Sequence, residues 1–259
     1  MTKTNTQLLK YMEISALTRS VVKHNHAVIS PDGYINSRVP GWDNCTVNVI
    51  INEQMGANLC QTLITMNWDG KLVGTTKASQ LFFYVISGRC RATVGTQSDM
   101  LTTGQFVYIP IGKSYTFDKP EAGTQLLTFH KVYEKLDGFD VPSVIFGDAA
   151  NVAGPMYMGD PALRLQVLLP DELSFDMAVN IFTYDPGGHL PLVETHIMEH
   201  GLIYLQGQGV YRLDQDWYPI KKGDSIWMAP YCQQWFTAMG KEPAVYIYYK
   251  NVNRFPTTV

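Results

Sequence analysis

The chain has 259 residues, of which 46% are hydrophobic and 17% are charged, and its formal net charge is −3. This composition is typical of a globular protein and excludes disorder as the state of the whole chain. Lys and Arg form no basic stripe, so a nucleic-acid partner is disfavoured. No window approaches the ~18 uninterrupted apolar residues of a membrane span, so a membrane partner is disfavoured as well.

The N-terminal stretch, MTKTNTQLLKYMEISALTRSVV, carries charges throughout and lacks the apolar centre of a signal peptide. We expect the first forty-odd residues to form an arm that packs on the rest of the chain. The four cysteines are scattered without CxxC spacing, which favours reduced, buried thiols; they are Cys45, Cys60, Cys90 and Cys232. Together these features predict a cytoplasmic protein.

Eight short runs of β-branched and aromatic residues follow, separated by Gly and Pro. In chain order they are NVII, TLITM, LFFYVI, FVYIP, NIFTY, LIYL, SIWMAP and AVYIYY. Such runs predict strands. Because helical periodicity is scarce beyond the N-terminal stretch, the sequence predicts an all-β sandwich or barrel.

The chain also repeats itself. The segment FYVISGRCRATVGTQSDMLTTGQFVYIP resembles IYLQGQGVYRLDQDWYPIKKGDSIWMAP at an offset of 119 residues. Gly88 corresponds to Gly207 and Gly104 to Gly223, so the two glycines of each pair are 16 residues apart. We therefore predict two tandem β-barrels. Residues 1–140 would hold the arm and the first barrel, and residues 141–259 the second.

The second copy contains the residues with metal-binding chemistry, in GGHLPLVETHIMEHGLIYLQGQG. In a strand, residues i and i+2 point to the same side, so Glu194 and His196 would share one face. His200 has the same parity and can join them across a turn. A carboxylate and two imidazoles that converge inside a barrel predict a metal site. The other four histidines are predicted to be structural; they are His24, His26, His130 and His189.

The spacing of these residues resembles that of the cupins. The first cupin motif runs Gly, five residues, His-x-His, three or four residues, Glu, six residues, Gly. Here the spacing is kept, but Glu194 stands in place of the first His and His200 in place of the Glu. In the second motif, counted from Gly223, the last ligand position falls on Gln234. The resemblance thus implies Glu194, His196, His200 and Gln234 as metal ligands, with only the count separating Gln234 from Gln233.

Further segments resemble the (S)-ureidoglycine aminohydrolase family of cupins over nearly the whole chain. They include VVKHNHAVISPDG, ELSFDM, HGLIYLQGQGVYRLD, WYPIKKGD and YIYYKNVNR. The resemblance implies two tandem cupin barrels, assembled as a homo-oligomer, that act on a small-molecule substrate. The implied reaction is hydrolysis of (S)-ureidoglycine to (S)-ureidoglycolate and ammonia in purine (allantoin) degradation.

The resemblance also implies roles for individual residues. Tyr211, Tyr246, Lys250 and Glu194 would contact the substrate, and Lys250 or Glu194 would be the catalytic base. Lys250 could equally hold a substrate carboxylate. The oxygen and imidazole donors suit Mn²⁺, although Fe²⁺, Ni²⁺ and Zn²⁺ remain possible.

The first copy is predicted to bind no metal, because the positions equivalent to the ligands are Thr75, Lys77, Leu81 and Tyr115. Two other functions stay open for the chain as a whole. One is an oxygen-using cupin of the dioxygenase or oxalate-degrading type, although such enzymes usually carry three His and one Glu. The other is a non-catalytic module that binds a small molecule.

Overall fold

The structure is a computed structural model that describes residues 17–251 and residue 254. Residues 1–16, on which part of the predicted arm falls, lie outside the described residues. Within the described part, no helix has the length and hydropathy that a membrane crossing requires.

Strands make up nearly all regular structure of the described residues, with three short 3-10 turns at Pro31–Gly33, Glu53–Met55 and Ala149–Asn151. The strands are β1 (Val21–Val22), β2 (His26–Ile29), β3 (Trp42–Ile51), β4 (Cys60–Thr75), β5 (Ser79–Ser87), β6 (Arg89–Val94), β7 (Gln97–Thr102), β8 (Gln105–Ile109), β9 (Ser114–Asp118), β10 (Thr124–Val132), β11 (Ile145–Asp148), β12 (Met156–Tyr157), β13 (Asp160–Val167), β14 (Ala178–Tyr184), β15 (His200–Gln206), β16 (Gln208–Leu213), β17 (Asp216–Lys221), β18 (Ser225–Met228), β19 (Gln234–Met239) and β20 (Ala244–Lys250). Each of the eight predicted runs coincides with one of these strands, and the all-β prediction is confirmed.

Three sheets are formed by these strands. The first has the order β11-β8-β5-β10-β4-β9-β6-β7, with β3 paired to β4. The second has the order β1-β2-β18-β15-β20-β14-β13-β12, and the third is β17-β16-β19. Two strands pair with the opposite half of the chain, since β2 pairs with β18 and β11 pairs with β8. Strands β1 and β2, from the first half of the chain, therefore extend the sheet that holds strands of the second copy of the repeat.

The internal repeat is visible in the backbone. Strands β6 and β7 begin 119 residues before β16 and β17. Gly88 and Gly207 have φ angles of +81° and +73°, and Gly104 and Gly223 have +89° and +91°. Because glycine adopts this left-handed region at little cost, the same two turns can form in both copies.

The first copy fills its interior with apolar side chains where the second has polar ones. Leu81 and Tyr115 are buried in a hydrophobic cluster with Phe83 and Phe117. The Tyr115 ring lies 5.9 Å from that of Phe83, and its hydroxyl accepts a hydrogen bond from Trp42 Nε1 at 3.3 Å. The positions that correspond to two of the predicted ligands are thus occupied by packed core residues.

A second cluster joins the two halves. Phe82 and Phe129 from the first half pack with Ile247 and Tyr249 from the second, and the rings of Phe129 and Tyr249 meet edge to face at 5.2 Å. Burial of such large side chains is the main favourable contribution to folding. The halves are therefore joined through shared core as well as through exchanged strands.

A buried ion pair lies across the same boundary. Asp176 accepts hydrogen bonds from Lys131 Nζ at 2.6 Å, from the backbone N–H of Glu134 at 2.7 Å, and from the Gln80 amide. Both charged side chains are almost fully buried, at 6% and 4% exposure. A buried charge that loses its partner is strongly destabilising.

Replacing Asp176 with Ala is expected to lower the free energy of unfolding by about 3–5 kcal/mol, because Lys131 would lose its buried counter-ion and keep only the exposed Glu134 carboxylate at 3.8 Å. Urea denaturation followed by circular dichroism measures this change. The control is Asp185→Ala, which removes a half-exposed ion pair with Arg164 and should cost at most about 1 kcal/mol. Equal losses in the two variants would contradict the assignment.

Candidate metal centre

The four predicted ligands come from the loop before β15, which holds Glu194 and His196, and from the first residues of β15 and β19, His200 and Gln234. Glu194 and Gln234 form an isolated bridge, with N–H to carbonyl distances of 2.9 and 3.0 Å in the two directions. His196 lies in the loop that follows, where its carbonyl accepts from the Tyr231 N–H at 2.7 Å. The prediction that Glu194 and His196 lie in a regular strand is wrong, because only one bridge forms there.

The side chains nevertheless converge. His196 Nε2 lies 3.1 Å from His200 Nε2, 2.8 Å from Gln234 Nε2 and 4.0 Å from Glu194 Oε2. The two imidazole rings are nearly perpendicular, at 78°, with their centroids 4.8 Å apart. All four residues are thus grouped around the His196 Nε2 atom.

The hydrogen bonds of the two imidazoles determine which nitrogen of each ring carries the proton. His196 Nδ1 lies 3.1 Å from the carbonyl of Met198, and His200 Nδ1 lies 3.1 Å from the carbonyl of Tyr249. Because a carbonyl can only accept, each Nδ1 must donate, which leaves the lone pair of each neutral ring on Nε2. The two lone pairs then face each other, which is the arrangement a bound cation stabilises.

Burial keeps His200 neutral. Desolvation, and secondly the neighbouring His196, lower the pKa of His200 to about 3. A proton on His200 would be costly in this environment, whereas its neutral form is the one that ligates a metal.

Glu194 is held by a residue that the sequence did not suggest. The Tyr157 hydroxyl donates to Glu194 Oε1 at 3.0 Å, and Glu194 Oε2 is the oxygen nearer to His196. Burial, and secondly the Glu194 charge, raise the pKa of Tyr157 to about 12, so the phenol remains a donor. Tyr157 therefore fixes one carboxylate oxygen and leaves the other directed at the imidazoles.

The donor set fits a divalent cation by its chemistry. Two imidazole nitrogens, a carboxylate and an amide oxygen are ligands of borderline or hard divalent metals. Gln234 has its amide nitrogen towards His196 here, and its Oε1 accepts from the Tyr211 hydroxyl at 3.4 Å. Among residues 17–251 and 254, no group of three or more His, Cys, Asp or Glu side chains is arranged so that it could hold a metal ion.

Gln233, the neighbour that the motif count alone separated from Gln234, points elsewhere. Its Oε1 accepts from Arg212 at 3.0 Å, on the other side of the strand. Gln234 is 97% buried, and its amide lies against His196. Of the two glutamines, the structure brings Gln234 to the candidate centre.

A cavity of about 280 Å³ opens beside these ligands. Its wall includes Glu194, His196 and His200, together with Asn180, Tyr248 and Lys250. Strand β20 places Lys250 opposite both His200 and Ala178. The cavity wall therefore combines three of the four predicted ligands with the cationic Lys250, a second carboxylate, Asp171, and neutral polar side chains.

The other two residues that the resemblance implied lie in the core rather than on the cavity wall. Tyr246 is 4% exposed and its hydroxyl pairs with that of Tyr184 at 3.0 Å. Tyr211 is 1% exposed and reaches the centre only through Gln234. Sequence reasoning missed Tyr157 and Asn180. The signal for Asn180 was its position at the start of NIFTY, on the side of β14 that Phe182 and Tyr184 share.

The first half of the chain supports the centre through Glu199. This fully buried carboxylate accepts from the backbone and side-chain N–H groups of Asn58 at 2.8 and 3.0 Å, and from the Tyr249 hydroxyl at 2.7 Å. Burial raises the pKa of Glu199. Because Glu199 directly precedes His200, these bonds fix the start of β15 and with it the His200 ring.

Comparison with known proteins agrees with this fold and site. Residues 180–249 match the cupin domain family, which defines the class of the chain. The (S)-ureidoglycine aminohydrolase of Escherichia coli K12 is 34% identical over 94% of this chain and 95% of its own length. The enzyme of the same name from Arabidopsis thaliana is 32% identical over 94% and 81%. The chain belongs to the (S)-ureidoglycine aminohydrolase family, and the resemblance predicted from the sequence is confirmed.

A solved structure extends the agreement to three dimensions. The E. coli protein Ylba superposes with a TM-score of 0.84 at 33% identity, covering 92% of this chain and 96% of that one. The fold is therefore shared with a solved relative over 92% of this chain.

Replacing His196 with Ala is expected to abolish metal binding, because the imidazole that lies nearest to the other three ligands is removed. Elemental analysis after Mn²⁺ loading and desalting measures this. His189→Ala is the control, since that ring lies against Trp235 and the Leu190 carbonyl, away from the cavity. Full metal content in His196→Ala would contradict the assignment.

Replacing Tyr157 with Phe is expected to weaken metal affinity by about 10–100-fold, because the group that orients a ligand carboxylate is lost. Competition with a fluorescent chelator measures the affinity. Tyr218→Phe removes a comparable hydroxyl that instead lies 2.9 Å from His26 Nε2, and it should leave the affinity unchanged. The same loss in both variants would argue against a role for Tyr157.

Proposed function

We propose that this chain is a metal-dependent hydrolase that converts (S)-ureidoglycine and water into (S)-ureidoglycolate and ammonia, in purine degradation by way of allantoin. The observation that carries the proposal is the convergence of two imidazole lone pairs with Glu194 and Gln234 beside Lys250. It occurs in a chain related along 94% of its length to an enzyme named for this reaction.

The proposed cofactor is Mn²⁺, with another divalent metal as the alternative. Glu194, His196, His200 and Gln234 would hold it. When bound, the cation would supply a Lewis acid with net positive charge, which favours an anionic or amine-bearing small molecule. This charge follows from the donor set, in which Glu194 is the single anionic ligand.

Two residues in the cavity are proposed to handle protons while ammonia leaves and water adds. Lys250 can hold the substrate carboxylate as an ammonium group or accept a proton as an amine. Glu194 has one oxygen engaged by Tyr157 and the other near His196. The reacting carbon bears both an amine and a ureido nitrogen, so loss of ammonia through an imine is chemically accessible.

Tyr211 and Tyr246 are retained as proposed substrate-binding residues. The support for Tyr211 is the contact of its hydroxyl with Gln234 at 3.4 Å. Tyr246 lies on the same side of β20 as Tyr248 and Lys250, with its ring 5.7 Å from that of Tyr248. Both phenols would limit the access of water to one side of the substrate.

The organisation we propose is two tandem cupin barrels, divided into residues 1–140 and 141–259, of which only the second binds metal. The packed core around Leu81 and Tyr115 supports a structural role for the first. We further propose a cytoplasmic homo-oligomer with a small-molecule substrate and without nucleic-acid or membrane partners. The net charge of −3 is consistent with the absence of such partners.

The metal-loaded protein is expected to release ammonia from freshly generated (S)-ureidoglycine above the uncatalysed rate, and His196→Ala is expected to lose this activity. A coupled ammonia assay measures the rate, and His189→Ala is the matched control that should retain it. Undiminished turnover by metal-free protein would contradict the metal-dependent scheme. Oxygen uptake in place of ammonia release would favour the oxygen-using alternative.

A further inference from the structure

One wall of the cavity carries a polar pair that the proposed metal chemistry does not use. Asn180 on β14 lies directly opposite Tyr248 on β20, and its Nδ2 donates to the Tyr248 hydroxyl at 3.1 Å. Both residues line the cavity beside His200. The pair is built into the sheet, since the register of β14 and β20 fixes it.

Each member of the pair has a hydrogen-bonding group left for a ligand. Asn180 is 97% buried, and its Oδ1 has no hydrogen-bond partner within the described part of the chain. A buried acceptor without a partner is costly and needs an explanation. The Tyr248 hydroxyl accepts from Asn180, so its own proton can be donated elsewhere.

The pair thus offers one acceptor and one donor, both neutral and close together. A ureido group presents the complementary set, an N–H that donates and a carbonyl oxygen that accepts. A carboxylate would meet the unpaired Asn180 Oδ1 with a second acceptor. An apolar group would leave that oxygen buried without a partner.

We propose that Asn180 and Tyr248 bind the ureido group of the substrate, with Asn180 Oδ1 accepting from a ureido N–H and the Tyr248 hydroxyl donating to the ureido carbonyl. This inference rests on the proposed function, because it assigns one end of that substrate. Asn180 and Tyr248 are then binding residues that determine specificity.

The pair lies next to the predicted metal ligands and Lys250. The Tyr248 ring lies perpendicular to the His200 ring, with 5.2 Å between their centroids. Lys250 follows Tyr248 by two residues on the same side of β20 and pairs with Ala178. A ligand whose ureido group lies at Asn180 can therefore direct its charged end towards Lys250 and the predicted metal ligands.

The test compares two stable ligands, (S)-ureidoglycolate and glycolate, which differ in the ureido group. Their affinities for the manganese-loaded protein are measured by calorimetry in the wild type, Asn180→Ala and Tyr248→Phe. Each variant is expected to weaken (S)-ureidoglycolate binding by about tenfold or more while glycolate changes by less than about twofold. Tyr248→Phe keeps the ring against His200, so it decides the matter if Asn180→Ala fails to fold.

Tyr204→Phe is the matched control. Tyr204 is 1% exposed, its hydroxyl has no hydrogen-bond partner among the described residues, and it is not part of the cavity wall. Loss of the Tyr204 hydroxyl should leave the ratio of the affinities for (S)-ureidoglycolate and glycolate unchanged. The proposal is overturned if Tyr248→Phe keeps the wild-type ratio, if it weakens both ligands equally, or if the wild type does not distinguish them.

The ammonia assay separates this proposal from the proposed function. If the wild type releases ammonia but the ratio of affinities is insensitive to both variants, the ureido pocket is wrong and the reaction stands. If the ratio collapses in the variants while the wild type releases no ammonia, the ureido pocket stands and the reaction is wrong.

Discussion

The candidate centre depends on two hydrogen bonds from imidazole to main chain. The carbonyls of Met198 and Tyr249 accept hydrogen bonds from Nδ1–H of His196 and His200, respectively. The Nε2 lone pairs of the two rings then face each other at 3.1 Å. Without these two carbonyls either tautomer would be accessible, and the rings would not be committed to binding a cation. The Tyr249 carbonyl is in place because β20 pairs with β15, so the sheet sets which nitrogen of His200 carries the proton.

The two copies of the repeat show how one backbone can be used for packing or for chemistry. The same pairs of left-handed glycines recur in both, and β6 and β7 have the same lengths as β16 and β17. In the first copy the interior is closed by Leu81, Tyr115 and the neighbouring Phe residues. In the second it holds polar ligands beside a cavity. The first copy is not independent of the second, because Asn58 holds Glu199 and the buried pair of Lys131 with Asp176 joins the halves.

The polar cavity is surrounded by an unusually aromatic barrel interior. Tyr184, Tyr204 and Tyr246 are fully buried phenols, and burial raises the pKa of each. They remain neutral and act as large core side chains. The tyrosines that border the cavity differ because their hydroxyls bond to polar residues of the cavity wall, as Tyr157 donates to Glu194 and Tyr248 accepts from Asn180. Tyrosine therefore serves both as a core residue and as a hydrogen-bonding partner in the cavity wall.

The sequence by itself determined the all-β class, the repeat of 119 residues and the group of Glu194, His196, His200 and Gln234. These features follow from the local alternation of residue types and from fixed spacing, which can be recognised in the sequence without knowledge of the fold. Only the tertiary structure decided that Tyr157 reaches Glu194, that Asn180 meets Tyr248, and that β2 and β11 cross between the halves. Those contacts join residues far apart in the chain. Strand register and sheet order bring these residues together, and neither can be predicted from the residue spacing within a single segment.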